Sequence, residues 1–261
     1  MKGFGKMIVA GVVIFSIGLI AFLVILGLND WSLDTDWETK TYECTQDNNT
    51  LKLDYSAGPV EVVFYSGDAI KVEYPEAKNY KTEVREHDGK LSVTSGKRYW
   101  YNMVIWQQWK IPKTTVYLPK DDVLALDLTL NAGTLKVESG GYSGVKLELN
   151  AGTVSLGRIE CPELNAKINA GTLNVDGAVC EKITSHVNAG SSHIDGVVCG
   201  DIWAKVNAGS SSFDIDVKRA EYNISVDKNA GSCNVSGQTG SSDKKIRAEV
   251  NAGSLSFDFA D

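Results

Sequence analysis

The chain has 261 residues, and 26 Lys and Arg against 33 Asp and Glu give it a formal net charge of −7. A surface of that sign repels phosphates, which argues against a non-specific nucleic-acid binder. The 25 glycines beside only 5 prolines favour tight turns between strands over a disordered linker.

The first distinct segment is an apolar run without charges, residues 7–28. As a helix it would be about 33 Å long, enough to cross a hydrocarbon core of about 30 Å. A cleaved signal peptide is the alternative, but its apolar region is usually shorter and ends at a small-residue cleavage site. We therefore predict a transmembrane helix. Because Lys2 and Lys6 precede it, residues 1–6 are a short cytoplasmic tail and the rest lies outside the cell membrane.

A linker, residues 29–40, follows the predicted helix. Trp31 and Trp37 belong to it, and they suit either the outer membrane interface or packing on the folded domain. The next region, residues 41–123, is predicted to be an N-terminal β region. It contains a degenerate coil around Ser56-Ala57-Gly58, a hairpin that turns at Asp88-Gly89, and a strand from Thr114 to Pro119.

An aromatic segment interrupts this β region. Its members are Tyr99, Trp100, Tyr101, Trp106 and Trp109. One interpretation is a cap over the open end of the stacked coils that follow, whose apolar side chains need cover. The other is a ligand surface, because exposed aromatic rings anchor protein partners and also suit sugar rings.

Residues 124–261 are built on a repeat. Asn-Ala-Gly occurs seven times, first at intervals of 19 residues and then of 22, and periods near 20 indicate stacked supersecondary units. Apolar residues alternate on both sides of each motif, which is typical of strands buried on one face. We therefore predict an all-β parallel β-solenoid with coils of about 19 residues. The predicted corner residues are Asn131, Gly133, Asn150, Gly152, Asn169, Gly171, Asn188, Gly190, Asn207, Gly209, Asn229, Gly231, Asn251 and Gly253.

The motif suits a corner for physical reasons. Glycine accepts a positive φ or a tight bend without steric cost, and asparagine bonds to nearby backbone. Asparagines of successive coils would lie about 4.8 Å apart, the strand spacing, so we expect their amides to form a ladder. The motif is thus predicted to be structural. The chain's last strand, residues 255–261, is predicted to be an under-capped end that meets another molecule.

Two rows of side chains share the 19-residue period. Cys161, Cys180 and Cys199 form one, which predicts stacked buried thiols, with one disulfide or a metal site as alternatives. With Cys44 and Cys233 the cysteines number five, so at least one is unpaired within the chain. The other row is outward and acidic. It comprises Glu138, Asp176, Asp195, Asp214 and Asp258, and we interpret it as a solvated turn, with Ca²⁺ binding as the alternative.

No catalytic constellation is recognisable. The three histidines, His87, His186 and His193, are scattered, whereas general acid–base chemistry needs clustered groups. His193 is expected to face solvent. We predict no catalytic, cofactor-binding or metal site and no enzyme, with a polysaccharide-active enzyme as a remote alternative.

With the degenerate coil, the Leu118-Pro119 junction and the Asn-Ala-Gly coils described, residues 40–261 resemble a bacterial putative-adhesin family of unknown function with β-strand repeats. The family is similar to the head domains of autotransporter adhesins. The resemblance implies right-handed winding and a place on the cell surface, and it supplies no catalytic residues.

The expected function is therefore a membrane-anchored, non-enzymatic interaction or adhesion module. Its expected partners are the membrane and an envelope polymer, or another surface or membrane protein, and no nucleic acid or cofactor. Envelope-stress sensing or regulation with a membrane partner is the alternative.

Overall fold

A computed structural model describes residues 18–19, 36–45, 47–77, 80–95, 111–120 and 122–260. Within them, 19 strands join into a single continuous sheet that winds as a solenoid, so the predicted all-β, solenoid-like fold is confirmed. The strands are β1 (Glu38–Glu43), β2 (Thr50–Tyr55), β3 (Pro59–Tyr65), β4 (Lys71–Glu76), β5 (Glu83–His87), β6 (Lys90–Thr94), β7 (Thr114–Pro119), β8 (Ala125–Leu130), β9 (Thr134–Val137), β10 (Gly140–Gly141), β11 (Gly144–Leu149), β12 (Thr153–Ile168), β13 (Thr172–Val187), β14 (Ser191–Val206), β15 (Ser210–Lys218), β16 (Asn223–Lys228), β17 (Ser232–Cys233), β18 (Lys245–Val250) and β19 (Ser254–Ala260).

Each coil places one strand before its corner and one after it, and equivalent strands of neighbouring coils pair in register. The pre-corner ladder has the order β5–β6–β2–β8–β11–β12–β13–β14–β18–β16. The post-corner ladder has the order β1–β4–β7–β3–β9–β12–β13–β14–β15–β19–β17. The long strands β12, β13 and β14 contribute to both ladders because each runs from one corner to the next.

Alternating apolar residues explain why these segments form strands with one buried face. In β11, Val145, Leu147 and Leu149 are buried whereas Lys146 is exposed. Side chains of successive strand residues point to opposite faces, so each strand gives every second residue to the core. Stacking then joins these residues into one hydrophobic cluster along the solenoid axis.

The N-terminal part of the stack confirms three predictions. Strands β2 and β3 meet at residues 56–58 and pair with β8 and β9, as expected of a degenerate coil. The β5–β6 hairpin turns through Asp88 and Gly89, which have φ angles of 51° and 68°, and β7 occupies 114–119. In space, however, the coil of β6 and β7 lies outside that of β2 and β3.

The C-terminal part of the stack is interleaved. Strands β18 and β19, the last in the chain, lie between the coil of β14–β15 and the coil of β16–β17. The stacked rings of Phe213 and Phe257, with centroids 5.2 Å apart, mark this insertion in the core. The Asn234 side-chain amide bonds to the backbone N–H and C=O of Phe257, with distances of 2.9 and 3.0 Å. These bonds cover the edge of β19 beyond the two residues that pair with β17. The last strand is therefore covered at Ser254, Leu255 and Phe257, and that this end meets another molecule stays a prediction.

The predicted transmembrane helix lies outside the described residues except for Gly18 and Leu19. Among the residues that the structure describes, no helix is long and apolar enough to cross a bilayer. Trp37 packs against a small second cluster and meets the Tyr80 ring edge-on, with centroids 5.3 Å apart. Of its two predicted roles, packing on the domain is confirmed, whereas Trp31 lies outside the described residues.

Candidate functional site

The Asn-Ala-Gly corners form the predicted ladder. Six of the seven asparagines donate an Nδ2–H to the Oδ1 of the next asparagine, with N···O distances of 2.6–2.8 Å, and Asn131 only accepts. The order is Asn229→Asn251→Asn207→Asn188→Asn169→Asn150→Asn131. Because these amides satisfy one another, the motif is a structural device.

Glycine is needed at the corners for two separate reasons. Gly133 and Gly152 have φ angles of 111° and 105°, which side chains rarely tolerate. Gly190 has no positive φ, but a Cβ there would lie 2.4 Å from the carbonyl oxygen of Gly171. Close stacking of backbones, and not only turn geometry, therefore excludes larger residues.

The candidate site is a groove on the outward face of the post-corner ladder, with a volume of about 770 Å³. Five successive coils contribute to it, from β3 to β14, and its polar lining includes Glu61, Lys136, Glu138, Asn174, Asp176 and Asp195. We call it the polar groove. A rigid register positions these groups, because Glu61, Lys136, Ser155, Asn174 and His193 are successive in-register partners.

The predicted acidic row borders this groove. Gly157 takes the place of an acid between Glu138 and Asp176, and Ser139 fills the space that a side chain there would need. Glu138 accepts a bond from the Phe64 N–H at 2.7 Å. Among the described residues no three His, Cys, Asp or Glu side chains are placed to hold a metal ion. The described geometry therefore gives no support to the calcium alternative.

His193 is exposed as predicted, and its contacts form an arrangement that the sequence analysis missed. Its Nδ1 lies 2.5 Å from the Ser212 Oγ, and its Nε2 lies 2.9 Å from an Asp195 carboxylate oxygen. The signal was available, because His193 and Ser212 are one 19-residue period apart. A serine, a histidine and a carboxylate in contact are the groups of nucleophilic catalysis.

One observation favours binding over catalysis at this position. The His193 and Asp195 side chains are 53% and 43% exposed, so water reaches both.

Trp203 is a second feature that the sequence analysis missed. It lies on the outward face of the pre-corner ladder, where Arg247 stacks on its ring at 5.4 Å and His186 meets it edge-on at 4.7 Å. Burial, and then the charge of Lys205, lower the pKa of His186. Because Arg247 already covers one face of the Trp203 ring, less of the ring is free to contact a ligand than in an exposed tryptophan.

The remaining site predictions divide into two groups. Cys161, Cys180 and Cys199 are in-register partners and buried, which confirms the row of stacked thiols, and all five cysteines are free. The five aromatic residues from Tyr99 to Trp109 lie outside the described residues. The choice between a cap and a ligand surface therefore stays a prediction.

The fold and its repeated corners define an all-β, solenoid-like repeat protein. The chain belongs to the Toastrack DUF4097 family, whose match spans residues 48–261. This confirms the resemblance to a family of unknown function that carries β-strand repeats.

Three solved structures illustrate the likeness. A putative adhesin from Parabacteroides distasonis has 12% identity and a TM-score of 0.49, covering 86% of this chain and 98% of its own. A putative adhesin from Bacteroides fragilis has 11% identity and a TM-score of 0.48, covering 85% and 97%. A putative cell adhesion protein from Clostridium sporogenes has 14% identity and a TM-score of 0.40, covering 87% and 100%. No curated protein matches the chain.

Proposed function

We propose that this chain is a non-enzymatic surface-binding module of the adhesin type, anchored in the membrane by residues 7–28. The observation that carries the proposal is the polar groove, which runs across five coils on a rigid ladder. A groove along the solenoid axis suits an extended ligand better than a compact one. The apolar run of residues 7–28 supports the anchor, and the family resemblance supports a surface location.

The lining of the groove selects the chemistry of the ligand. Carboxylate, amide and hydroxyl groups supply several hydrogen-bond acceptors and donors, which sugar hydroxyls can satisfy. The acids Glu61, Glu138, Asp176 and Asp195 outnumber the cation Lys136. We therefore propose that the ligand is a neutral or amine-bearing glycan chain, since like charge repels polyanions.

The test is binding of the full chain to immobilised neutral, amine-bearing and anionic polysaccharides. Asp176→Asn removes one charge from the groove, and Asp227→Asn removes one from an exposed position on the pre-corner ladder. We expect the groove variant to weaken binding about tenfold, since a bond to a charged group contributes roughly 1.5–3 kcal/mol. Equal affinities for the two variants, or a preference for the anionic polymer, would contradict the proposal.

A second measurement separates binding from acyl transfer. An acetylated polysaccharide is incubated with the wild-type chain and with Ser212→Ala, and the release of acetate is measured. We expect no release with either protein. Release that depends on Ser212 would show that the Ser212, His193 and Asp195 arrangement is catalytic.

A further inference from the structure

The thiols of Cys161 and Cys180 meet inside one wall of the solenoid. The two residues are in-register partners on the parallel strands β12 and β13. Their Sγ atoms lie 3.6 Å apart and form a hydrogen bond. The third thiol of the row, Cys199, instead donates to the carbonyl oxygens of Asp201 and Glu181, at 3.2 and 3.5 Å.

A second groove opens onto this thiol pair. It has a volume of about 590 Å³, and we call it the thiol groove. Its walls include Val123 and Val198, which are 63% and 39% exposed, and the Pro162 ring. Cys161 and Cys180 keep 7% and 8% of their surface exposed. Because both cysteines line the groove, we infer that it is the route by which a reagent reaches the thiol pair.

The two sulfur atoms are not equivalent. The hydrogen bond from Cys180 lowers the pKa of Cys161 and raises the pKa of Cys180. Burial raises the pKa of Cys199 to about 12. Since the thiolate is the nucleophile, attack is expected at the hydrogen-bonded pair and not at Cys199. The charged groups at the groove are Glu160, Glu181 and Lys244.

We propose that Cys161 and Cys180 are a reversible oxidation site, at which a small-molecule disulfide converts the stacked thiols into a cross-link between neighbouring coils. The Cys161 thiolate attacks one sulfur of the reagent, forms a mixed disulfide and releases one thiol. Cys180 then loses its proton and attacks the Cys161 sulfur, and the second thiol leaves. Two protein thiols and one reagent disulfide thus become one protein disulfide and two reagent thiols.

The strand spacing makes this cross-link easy to reverse. Neighbouring strands lie about 4.8 Å apart, close to the lower limit of about 4.4 Å for the Cα separation in disulfides. A bridge at that separation is shorter than the most common one of about 5.5–6 Å, and exposed or strained bridges are reduced more readily than structural ones. The groove also lets a reducing thiol reach the bridge.

The sequence provides a direct assay. Trypsin cleaves after Arg158, Lys167, Lys182 and Lys205, so each cysteine of the row lies on its own peptide, spanning 159–167, 168–182 and 183–205. The full chain is equilibrated with glutathione disulfide and glutathione, quenched with acid, alkylated, digested and analysed by mass spectrometry. We expect the cross-link between peptides 159–167 and 168–182, and its loss when glutathione is in excess.

Two variants and one control make the outcome specific. Cys199→Ala should keep the cross-link. Cys180→Ser, which keeps a hydrogen-bond donor beside Cys161, should stop at a mixed disulfide between glutathione and Cys161. In denaturant the preference for this pair should disappear.

Without oxidation, iodoacetamide should modify Cys161 at least about tenfold faster than Cys199. An unmodified pair in the folded chain, a preference for Cys199, or equal alkylation rates would overturn the proposal.

Discussion

Gly190 shows how a single residue controls the stacking of two coils. A methyl group at this position would meet the Gly171 carbonyl oxygen at 2.4 Å and the Ile168 side chain at 2.8 Å. Backbone atoms cannot move aside without separating the coils. The corner is therefore limited by contact between neighbouring backbones.

We expect Gly190→Ala to lower the free energy of unfolding by about 1–3 kcal/mol or more, the usual cost of overpacking. The matched control is Gly144→Ala, because a Cβ at Gly144 meets nothing within 4 Å. The control should change stability by less than about 0.5 kcal/mol. Urea unfolding followed by circular dichroism measures both, and equal losses would show that close stacking does not limit the corner.

Ser211 is a polar residue in an apolar position. It is 3% exposed, and its hydroxyl has no hydrogen-bond partner among the described residues. Its in-register neighbours are Ser192 and Leu255. A buried hydroxyl without a partner carries a desolvation cost that an apolar group of similar size avoids.

Ser211→Ala is therefore expected to raise the free energy of unfolding by about 1 kcal/mol. The adjacent Ser212→Ala serves as the control, because the Ser212 hydroxyl contacts His193 on the outer face. It should be neutral or slightly destabilising. Calorimetric melting temperatures compare the two, and a lower value for Ser211→Ala would mean that the hydroxyl is well solvated in the folded state.

At the scale of elements, the asparagine ladder connects coils that are distant in the chain. Asn251 donates to Asn207 and accepts from Asn229, each at 2.7 Å. Asn229 makes only one ladder bond because it stands at the end. The two residues share a motif but differ in the number of bonds that their loss would break.

Asn251→Ala should cost about 1–3 kcal/mol of unfolding free energy, since it leaves two partners unsatisfied, and Asn229→Ala about 0.5–1.5 kcal/mol. Chemical denaturation of both variants under identical conditions gives the comparison. A larger loss at Asn229 would contradict the order of coils described here.

Much at this scale was predictable from the sequence, because a fixed period converts spacing into contact. The 19-residue repeat predicted the corners, the ladder and the stacked cysteines, and it also contained the pairing of His193 with Ser212. The contact between Trp203 and Arg247 could not be predicted in this way. Trp203 and Arg247 are 44 residues apart in the chain, which is not the 19-residue period. They become neighbours only because β18 lies beside β14.

At the scale of the whole molecule, the order of coils in space differs from the order in the chain at both ends of the stack. A parallel ladder accepts any coil in register, and alternating apolar residues do not identify which coil lies next. The last two intervals between Asn-Ala-Gly motifs are 22 residues long. They fit a stack in chain order and an interleaved stack equally well. The sequence therefore predicts the presence of the coils but not their arrangement at the ends.

The interleaving predicts how a shortened chain behaves. Among the described residues, β16 and β17 have ladder partners only in β18 and β19. Ending the chain after Lys244 should therefore remove the protection in hydrogen exchange of the β16 and β17 amides that pair with β18 and β19, whereas the Asn223 and Ile224 amides keep their bonds to Lys244 and Gln238. The amides of β12 and β13, which pair with each other, should stay protected. Persistent protection of the remaining β16 amides would mean that β16 can pair directly with β14.

The asparagine ladder also gives the molecule an electrical direction. All six side-chain bonds point the same way, from Asn229 towards Asn131, so their dipoles add as peptide dipoles add in a helix. The N–H of Asn131 forms the positive pole, and the Oδ1 of Asn229 forms the negative pole. The negative pole lies in the outermost coil at the C-terminal end of the stack, whereas the coils of β2–β3 and β6–β7 separate the positive pole from the opposite end.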